Sequence, residues 1–239
     1  MIGGCSGGGD DHAAAARPAA PPTSALRALL SAEQRGDHAA SFALLSTESR
    51  STYSDVDDWA RLRSQVPAVT GFTIQSSDGD SVVAIVEHEP GLDPFIGLSP
   101  ARTRETWTAR VESGSWRLDA EPKVKALLPT RAGATKAALA WARAAESCDA
   151  STTMSFQAVT RVFGSSEGAA QLCGSSNALT VTPTRVPTGP QTADLISQYT
   201  NDALSWATAV RVDGTDIPFS VVLAPIGDTW KVVAVFDAT

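Results

Sequence analysis

The strongest constraint on the fold is an internal repeat. Two short patterns of this 239-residue chain recur, one after 113 positions and the other after 114. Ala32-Glu33 returns as Ala145-Glu146, and Ser115-Trp116 returns as Thr229-Trp230. Each half also holds three of the six tryptophans. Because a repeat of this length has the usual size of a single domain, the chain is predicted to form two similar small domains in tandem.

Composition sets the expected domain boundaries. Residues 1–22 are rich in Gly, Ala and Pro, which cannot bury a core, so this segment is predicted to be a flexible tether. The first domain is expected over 23–122, a linker over 123–133 and the second domain over 134–239.

Hydrophobic spacing predicts the same order of elements in each half. Leu26, Leu29 and Leu30 share one helical face, and residues 67–122 then change to the alternating pattern of strands. Helices followed by a meander of strands are typical of an α+β fold with a mostly antiparallel sheet. The stretch from Leu92 to Pro100 is expected to be a loop.

Alternation also predicts which side chains share a sheet face. Glu105, Trp107 and Trp116 are expected on the inner face of the first sheet. In the second half a strand is predicted to include Leu204 and Trp206, with Trp206 and Trp230 on one face. Tyr199 is also predicted to lie in a strand.

The N-terminus contains a motif for lipid attachment. Ile2-Gly3-Gly4-Cys5 resembles the end of a bacterial lipoprotein signal, and the Gly-, Ser- and Asp-rich run after it resembles the usual tether. The resemblance implies a diacylglycerol and a further acyl chain such as palmitate on Cys5, which hold a protein at a membrane. A basic and apolar leader does not precede Cys5, so we expect a late start or a trimmed signal. The alternative is a free cysteine in a disordered cytosolic tail.

Cys148 and Cys173 are the remaining cysteines. Both lie in the predicted second domain, and two cysteines in an exported domain favour a disulfide. The alternative is a pair of buried thiols that act as small hydrophobic groups.

Charge and composition argue against several classes of binding partner. The net charge of −7 and the absence of any Lys/Arg-rich run argue against nucleic acid. The three histidines lie far apart in the sequence, which argues against a metal site built from histidine side chains, and no cofactor is expected. No apolar stretch is long enough to span a bilayer, so the membrane contact is expected through the lipid alone.

Both halves resemble the NTF2-like fold, a cone of helices packed on a curved antiparallel sheet. The resemblance rests on residues 25–37 and 42–46 and on the terminal strands that begin at Ser115 and Thr229. The first half is most similar to the NTF2-like domain that precedes the penicillin-binding region of some transpeptidases. No Ser-x-x-Lys sequence occurs here, so the nucleophile of a penicillin-binding enzyme is missing.

The NTF2-like resemblance implies a pocket that could bind or turn over a small molecule. The candidate lining residues are Glu105, Trp107, Trp116, Tyr199, Trp206 and Trp230. A carboxylate among aromatic rings can act as a base, and a tyrosine can stabilise an oxyanion. Each tryptophan also suits an ordinary core, and His88, between Glu87 and Glu89, is expected at a solvated strand edge.

The sequence therefore predicts a non-catalytic, extracytoplasmic lipoprotein that acts as a binding module. Its partner is expected to be an envelope protein or an apolar small ligand. The alternative is a small-molecule enzyme, or a carrier of an apolar ligand, built on an NTF2-like pocket.

Overall fold

A computed structural model describes residues 20–93, 97–159, 162, 164, 166–176, 178–186, 190–199 and 203–238. The first half holds four helices and seven strands in this part of the chain: α1 Pro22–Gln34, α2 His38–Ala43, α3 Thr47–Arg50, α4 Val56–Arg63, β1 Val69–Asp78, β2 Ser81–His88, β3 Gly91–Asp93, β4 Gly97–Ser99, β5 Arg102–Glu112, β6 Ser115–Leu118 and β7 Lys123–Ala126. In the second half the described elements are α5 Ala132–Glu146, α6 Ala150–Ser155, α7 Glu167–Ala170, β8 Thr180–Thr184, α8 Pro190–Tyr199, α9 Ala203–Trp206, β9 Thr208–Asp213, β10 Phe219–Ile226 and β11 Thr229–Asp237.

The strands form separate sheets in the two halves. The first sheet has the order β1-β2-β5-β6, and β7 also pairs with β5. The second has the order β11-β10-β9-β8, with antiparallel pairing at every step. Strands β3 and β4 form a hairpin of their own. The predicted α+β class with antiparallel sheets is confirmed.

The chain divides into two compact units. Unit 1 comprises the residues up to 63 with 74–83 and 106–123, and unit 2 comprises 64–73, 84–105 and 124–239. The stretch predicted as a linker contains strand β7, and helix α5 begins at Ala132. The predicted domain limits at 122 and 134 stay a prediction.

Helix α1 contributes buried leucines to the core of unit 1. Leu26, Leu29 and Leu30 are almost fully buried, as their spacing on one helical face predicts. The helix packs against α2 and β6. Trp59 of α4 is also buried, and its indole N–H donates to the Ser41 hydroxyl at 2.9 Å.

The second sheet is covered on both faces. One face packs against Trp141 and its neighbours on α5, through side chains that include Phe219 and Trp230. The other face packs against Tyr199 and Trp206 of α8 and α9, in what we call the second-face cluster: Leu195, Tyr199, Ala203, Trp206, Ala207, Ala209, Val222, Ala224, Val233, Ala234 and Phe236. Burial on both faces explains why β10 and β11 are apolar at almost every position.

Four predictions for this region are wrong. Tyr199 ends helix α8, and Trp206 ends helix α9, so neither lies in a strand. Trp206 packs in the second-face cluster, whereas Trp230 packs against α5, so the two do not share a face. The residues expected to form a loop after position 91 include the hairpin β3–β4, whose Leu92 and Leu98 pack against the second-face cluster within unit 2.

The terminal hairpins of the two halves have the same register. Ala109 pairs with Leu118, and Leu223 pairs with Val232, so each partner recurs after 114 positions. Each terminal strand also makes a parallel bridge to the residues that follow the second helix. Leu118 bridges Leu45, and Val232 bridges Gln157.

An indole hydrogen bond recurs at the start of each half. Trp116 Nε1 donates to the carbonyl of Ala20 at 2.8 Å, and Trp230 Nε1 donates to the carbonyl of Thr130 at 3.0 Å. Each acceptor lies two residues before the first helix of its half. The repeated Ser/Thr-Trp pattern in the sequence therefore marks a repeated contact, which joins strands β6 and β11 to the residues just before the first helix of each half.

Candidate functional site

Three polar side chains come together between strands β2 and β5. His88 ends β2, and Thr103 and Glu105 lie near the start of β5. The Thr103 hydroxyl donates to Glu105 Oε1 at 3.1 Å and lies 3.2 Å from His88 Nε2. The other ring nitrogen, Nδ1, lies 3.3 Å from the carbonyl oxygen of Pro67. We call His88, Thr103 and Glu105 the His88 cluster.

Strand alternation buries this cluster. On β5 the inward positions are Thr103, Glu105, Trp107 and Ala109, all of them buried. The side chains of His88 and Glu105 are 12% and 10% exposed, and His88 Nε2 lies 3.8 Å from Glu105 Oε1. A carboxylate at this depth needs hydrogen-bonding or charged partners, which Thr103 and His88 supply.

The expectation that His88 lies at a solvated edge is wrong. Val82, Ala84 and Val86 are fully buried, and His88 follows them at the same spacing of two. Its flanking glutamates suggested exposure, but Glu87 belongs to the opposite face of β2 and Glu89 follows the end of the strand. The alternation itself was the available signal for an inward histidine.

The other predicted pocket residues have different surroundings. Trp107, Trp116 and Trp230 are buried in the cores of their units, as the ordinary packing interpretation expected. Tyr199 and Trp206 contact each other edge to face with ring centroids 6.1 Å apart. Burial raises the pKa of Tyr199. Glu105 belongs to the His88 cluster and Tyr199 to the second-face cluster.

Two tryptophans leave an indole N–H without a partner in the described part of the chain. Trp206 Nε1 and Trp141 Nε1 are both buried, and neither meets a hydrogen-bond acceptor among these residues. By contrast, Trp59, Trp116 and Trp230 each donate to a nearby oxygen. The Trp206 donor lies inside an otherwise apolar layer, where an unpaired N–H is costly.

The predicted disulfide is confirmed. The sulfur atoms of Cys148 and Cys173 are bonded at 2.11 Å, and their Cα atoms lie 4.8 Å apart. The bond links the residue two positions after α5 to the segment that follows α7. Both cysteines are exposed, so the alternative of two buried thiols is wrong.

Unit 1 has an open polar cleft that the sequence analysis missed. It encloses about 310 Å³ and is lined by Glu48, Ser49, Thr52, Tyr53, Arg110, Asp119, Ala120 and Glu121. Arg110 Nε donates to both Asp119 oxygens at 2.9 and 3.0 Å, and Arg110 also pairs with Glu48 at 3.2 Å. Hydrogen bonding to Asp119 and the charge of that carboxylate raise the pKa of Arg110.

Carboxylates outnumber cations in this cleft. Glu48, Asp119 and Glu121 face a single guanidinium, so the lining is negative overall. Burial, and then the nearby charge of Glu121, raise the pKa of Tyr53. The hairpin turn at Ser113-Gly114 fixes the register of β5 and β6, which brings Arg110 of β5 close to Asp119, the residue after β6, and that register was the signal from which the pair could have been found.

A second cleft of unit 1 lies beside Trp116. It encloses about 470 Å³ between the first turns of α1 and the β5–β6 turn, and its lining includes Ala25, Leu44 and Arg117. Trp116 is the one predicted pocket residue that lines either of these two clefts.

The described residues give two further findings on metals and membranes. Within them, no group of three or more His, Cys, Asp or Glu is arranged to hold a metal ion. None of the helices described here is long and apolar enough to cross a membrane. Cys5, the predicted lipidation site, lies outside the described residues.

Comparison with known proteins gives distant structural similarity only. No family model matches the chain, and no curated protein matches it. A SEC-C motif containing protein from Rhodopseudomonas palustris is 20% identical, with 46% of this chain and 82% of that chain covered and a TM-score of 0.33. An NTF2-like protein involved in plasmid conjugation is 10% identical, with 78% and 89% covered and a TM-score of 0.27.

A cystatin-like protein from Ruminococcus gnavus is also similar. It is 8% identical, with 91% of this chain and 92% of that chain covered and a TM-score of 0.27. TM-scores this low do not establish a common fold, so the α+β assignment comes from the helices and sheets of this chain itself.

Proposed function

We propose that this chain is a non-catalytic binding module held on the outer face of the cytoplasmic membrane by a lipid on Cys5. The observation that carries the proposal is the disulfide between Cys148 and Cys173. Both cysteines are exposed, and an accessible structural disulfide persists in oxidising compartments outside the cytosol. An exported chain with Ile2-Gly3-Gly4-Cys5 near its start fits a lipoprotein.

The open polar cleft of unit 1 is the surface that best fits a partner. Its carboxylates are arranged by contacts within the protein, because Asp119 holds Arg110 and also accepts from the Ser46 hydroxyl at 3.0 Å. A preorganised polar surface binds with a smaller entropic cost than a mobile one. We therefore infer an envelope protein as the partner, with its basic side chains facing Glu48 and Glu121.

Phase partitioning tests the lipid anchor. The protein, expressed with its native upstream region, should enter the detergent phase of a Triton X-114 separation. Cys5→Ala should move it to the aqueous phase, whereas Ser6→Ala is a control that keeps the lipidation residue. An aqueous wild-type protein would contradict the anchor.

Site-specific crosslinking tests the binding surface. A photoreactive residue at Thr52, in the cleft, should crosslink to a discrete membrane protein, and the yield should fall in Glu48→Gln/Glu121→Gln. The same photoreactive residue at Ser151, exposed on α6, is the matched control. Equal crosslinking from both positions would argue against a partner at the cleft.

The alternative function is an enzyme or a carrier of an apolar ligand. Buried Glu105 beside His88 favours the enzyme, and the unpaired Trp206 N–H in the second-face cluster favours a carrier of a ligand with a carbonyl oxygen. A turnover and binding screen with purified protein distinguishes the two. Turnover lost in Glu105→Gln or Tyr199→Phe would overturn the non-catalytic proposal.

A further inference from the structure

We propose that strand β7 and the start of β5 form a surface of unit 2 that binds the headgroups of an anionic phospholipid membrane. The surface consists of the exposed side chains of Arg104, Val124, Lys125 and Leu128, which we call the β7 patch. The proposal rests on the membrane location in the proposed function. It adds a direct contact between the folded protein and the lipid surface.

The sequence around β7 is basic in an otherwise acidic protein. Residues 122–145 contain five Lys or Arg residues and no Asp or Glu, although the net charge of the whole chain is −7. Three of the four lysines of the chain lie in this stretch. Every residue of β7 is exposed, so the strand displays its lysines on the surface.

The pairing of β7 with β5 brings two cations together. Leu127 follows β7, and its amide donates to the carbonyl of Arg102, the first residue of β5, at 2.9 Å. Parallel pairing from this contact would run past the start of β5, so β7 pairs with β5 in the opposite direction. Counting back along β7 then places Lys125 opposite Arg104, and opposite residues lie on the same face of a sheet.

No carboxylate offsets this pair. Among the described residues, neither Arg104 nor Lys125 forms an ion pair. Asp228 pairs with Arg102 at 3.6 Å, and the Glu87 carboxylate is turned towards β1, on the side of β2 away from β5. Like charges opposite each other on neighbouring strands destabilise a sheet. An anion bound across the two side chains removes that cost, so this arrangement favours an anionic partner.

The apolar members of the β7 patch favour a membrane over a free phosphate. Val124 is 58% exposed and Leu128 is 38% exposed. Alternation puts Val124 on the other side of β7 from Lys125, so the strand has an apolar side and a basic side. Segments divided in this way bind at the boundary between headgroups and acyl chains, where basic side chains are attracted to anionic lipids.

Vesicle flotation tests the β7 patch with protein that carries no lipid. The full chain with Cys5→Ala should bind phosphatidylglycerol vesicles at low salt and should not bind phosphatidylcholine vesicles. Adding Arg104→Gln and Lys125→Gln should weaken binding about 20-fold, because each basic side chain near an anionic surface contributes about fivefold. Arg27→Gln with Arg35→Gln removes two exposed cations from unit 1 and is the matched control, which should retain most of the binding.

Further arms of this experiment distinguish a membrane from other anions. Val124→Ser with Leu128→Ser leaves the charge unchanged and should also weaken binding to the vesicles. Unchanged binding in this variant, or release of the protein by soluble glycerol phosphate, would overturn the membrane assignment. Tighter binding of a single-stranded oligonucleotide through Arg104 and Lys125 would overturn it as well. Equal weakening by the matched control, or no binding to phosphatidylglycerol, would refute the β7 patch.

Thermal unfolding without vesicles tests the unfavourable cation pair. Arg104→Gln should raise the melting temperature by about 1–2 °C, because it removes the repulsion from Lys125. A lower melting temperature would show that Arg104 stabilises the fold, which contradicts the proposal.

The detergent separation described above tests the lipid anchor separately. A protein that fails there but binds phosphatidylglycerol vesicles through Arg104 and Lys125 would refute only the anchor. An anchored protein whose Cys5→Ala form does not bind these vesicles would refute only the β7 patch.

Discussion

Strand β5 of the first half buries every second side chain over its first eight residues, whereas strand β10 of the second half buries seven consecutive ones. The equal hairpin registers align Thr108 with Val222, 114 positions later. Thr108 is exposed, and Val222 is fully buried in the second-face cluster. Helices α8 and α9 and the hairpin β3–β4 provide the cover in unit 2. The same strand plan thus yields a one-faced or a two-faced sheet, depending on what packs on its outer side.

The inward positions differ as well. Glu105 aligns with Phe219, which is fully buried against Trp141. The first half therefore has a polar cluster where the second has an aromatic core.

A charged residue on the outer face should give the largest difference in stability between the two sheets. Val222→Asp should cost about 4 kcal/mol or more of unfolding free energy, because it buries an unpaired carboxylate. Thr108→Asp, at the aligned exposed position, should change it by less than about 0.5 kcal/mol. Urea denaturation measures both. Similar losses in the two variants would refute the contrast between a one-faced and a two-faced sheet.

Loss of the disulfide should cause the second-largest decrease in the free energy of unfolding. Cys148→Ser with Cys173→Ser opens a loop with a sequence separation of 25 residues and should lower the unfolding free energy by about 3 kcal/mol. Reductant should reproduce the loss in the wild type and leave the double variant unchanged. An unaltered denaturation midpoint would mean that the bond does not stabilise the second half.

The repeated indole contact should give smaller and equal effects. Trp116→Phe and Trp230→Phe each remove one N–H donor to a carbonyl and should each cost about 1–2 kcal/mol. Thermal unfolding of the two variants and the wild type compares them. A large effect in only one variant would show that the contact has a different role in the two halves.

Protonation of Asp237 at acid pH should cause the smallest loss of stability. Hydrogen bonds from the Ser166 hydroxyl, and then from the Gly168 amide, lower the pKa of Asp237. A lowered pKa gives stability that is present above the ordinary aspartate value and lost as pH falls through the folded value. Because Asp237 is partly exposed, the loss should stay below about 1 kcal/mol. Asp237→Asn should flatten the acid limb of the stability curve; an unchanged limb would assign it to other carboxylates.

Much of the backbone plan was readable in the sequence. The 114-residue shift of the Ser/Thr-Trp pattern recurs in the equal registers of the two hairpins, and alternation predicted the inward positions of Glu105 and Trp107 on β5. The wrong placement of Trp206 has a physical source. Where both faces of a sheet are buried, the alternation of apolar residues does not show which face each one occupies. The prediction therefore put Trp206 on one face with Trp230, although Trp206 ends helix α9, one residue before β9 begins.

The site was less predictable than the fold. Alternation with Trp107 identified Glu105 as an inward residue. The exposure of its partner His88 was predicted from the neighbouring Glu87 and Glu89, whereas its position in the alternation of β2 predicts burial. Pairing across strands also decides the Arg110–Asp119 contact, which depends on the exact turn. Such contacts need register, which propensity alone does not provide.

The order of elements along the chain has a consequence for how the second sheet is made. Hairpin β3–β4 and helices α8 and α9, which cover its outer face, all precede strands β9, β10 and β11 in the sequence. During synthesis from the N-terminus, the covering segments are therefore available before the most apolar strands emerge. Strands such as Phe219–Ile226 are the segments most prone to aggregate when exposed. The segments that cover the outer face of the second sheet thus lie upstream of its most apolar strands, and this order favours contacts within one chain over contacts between copies.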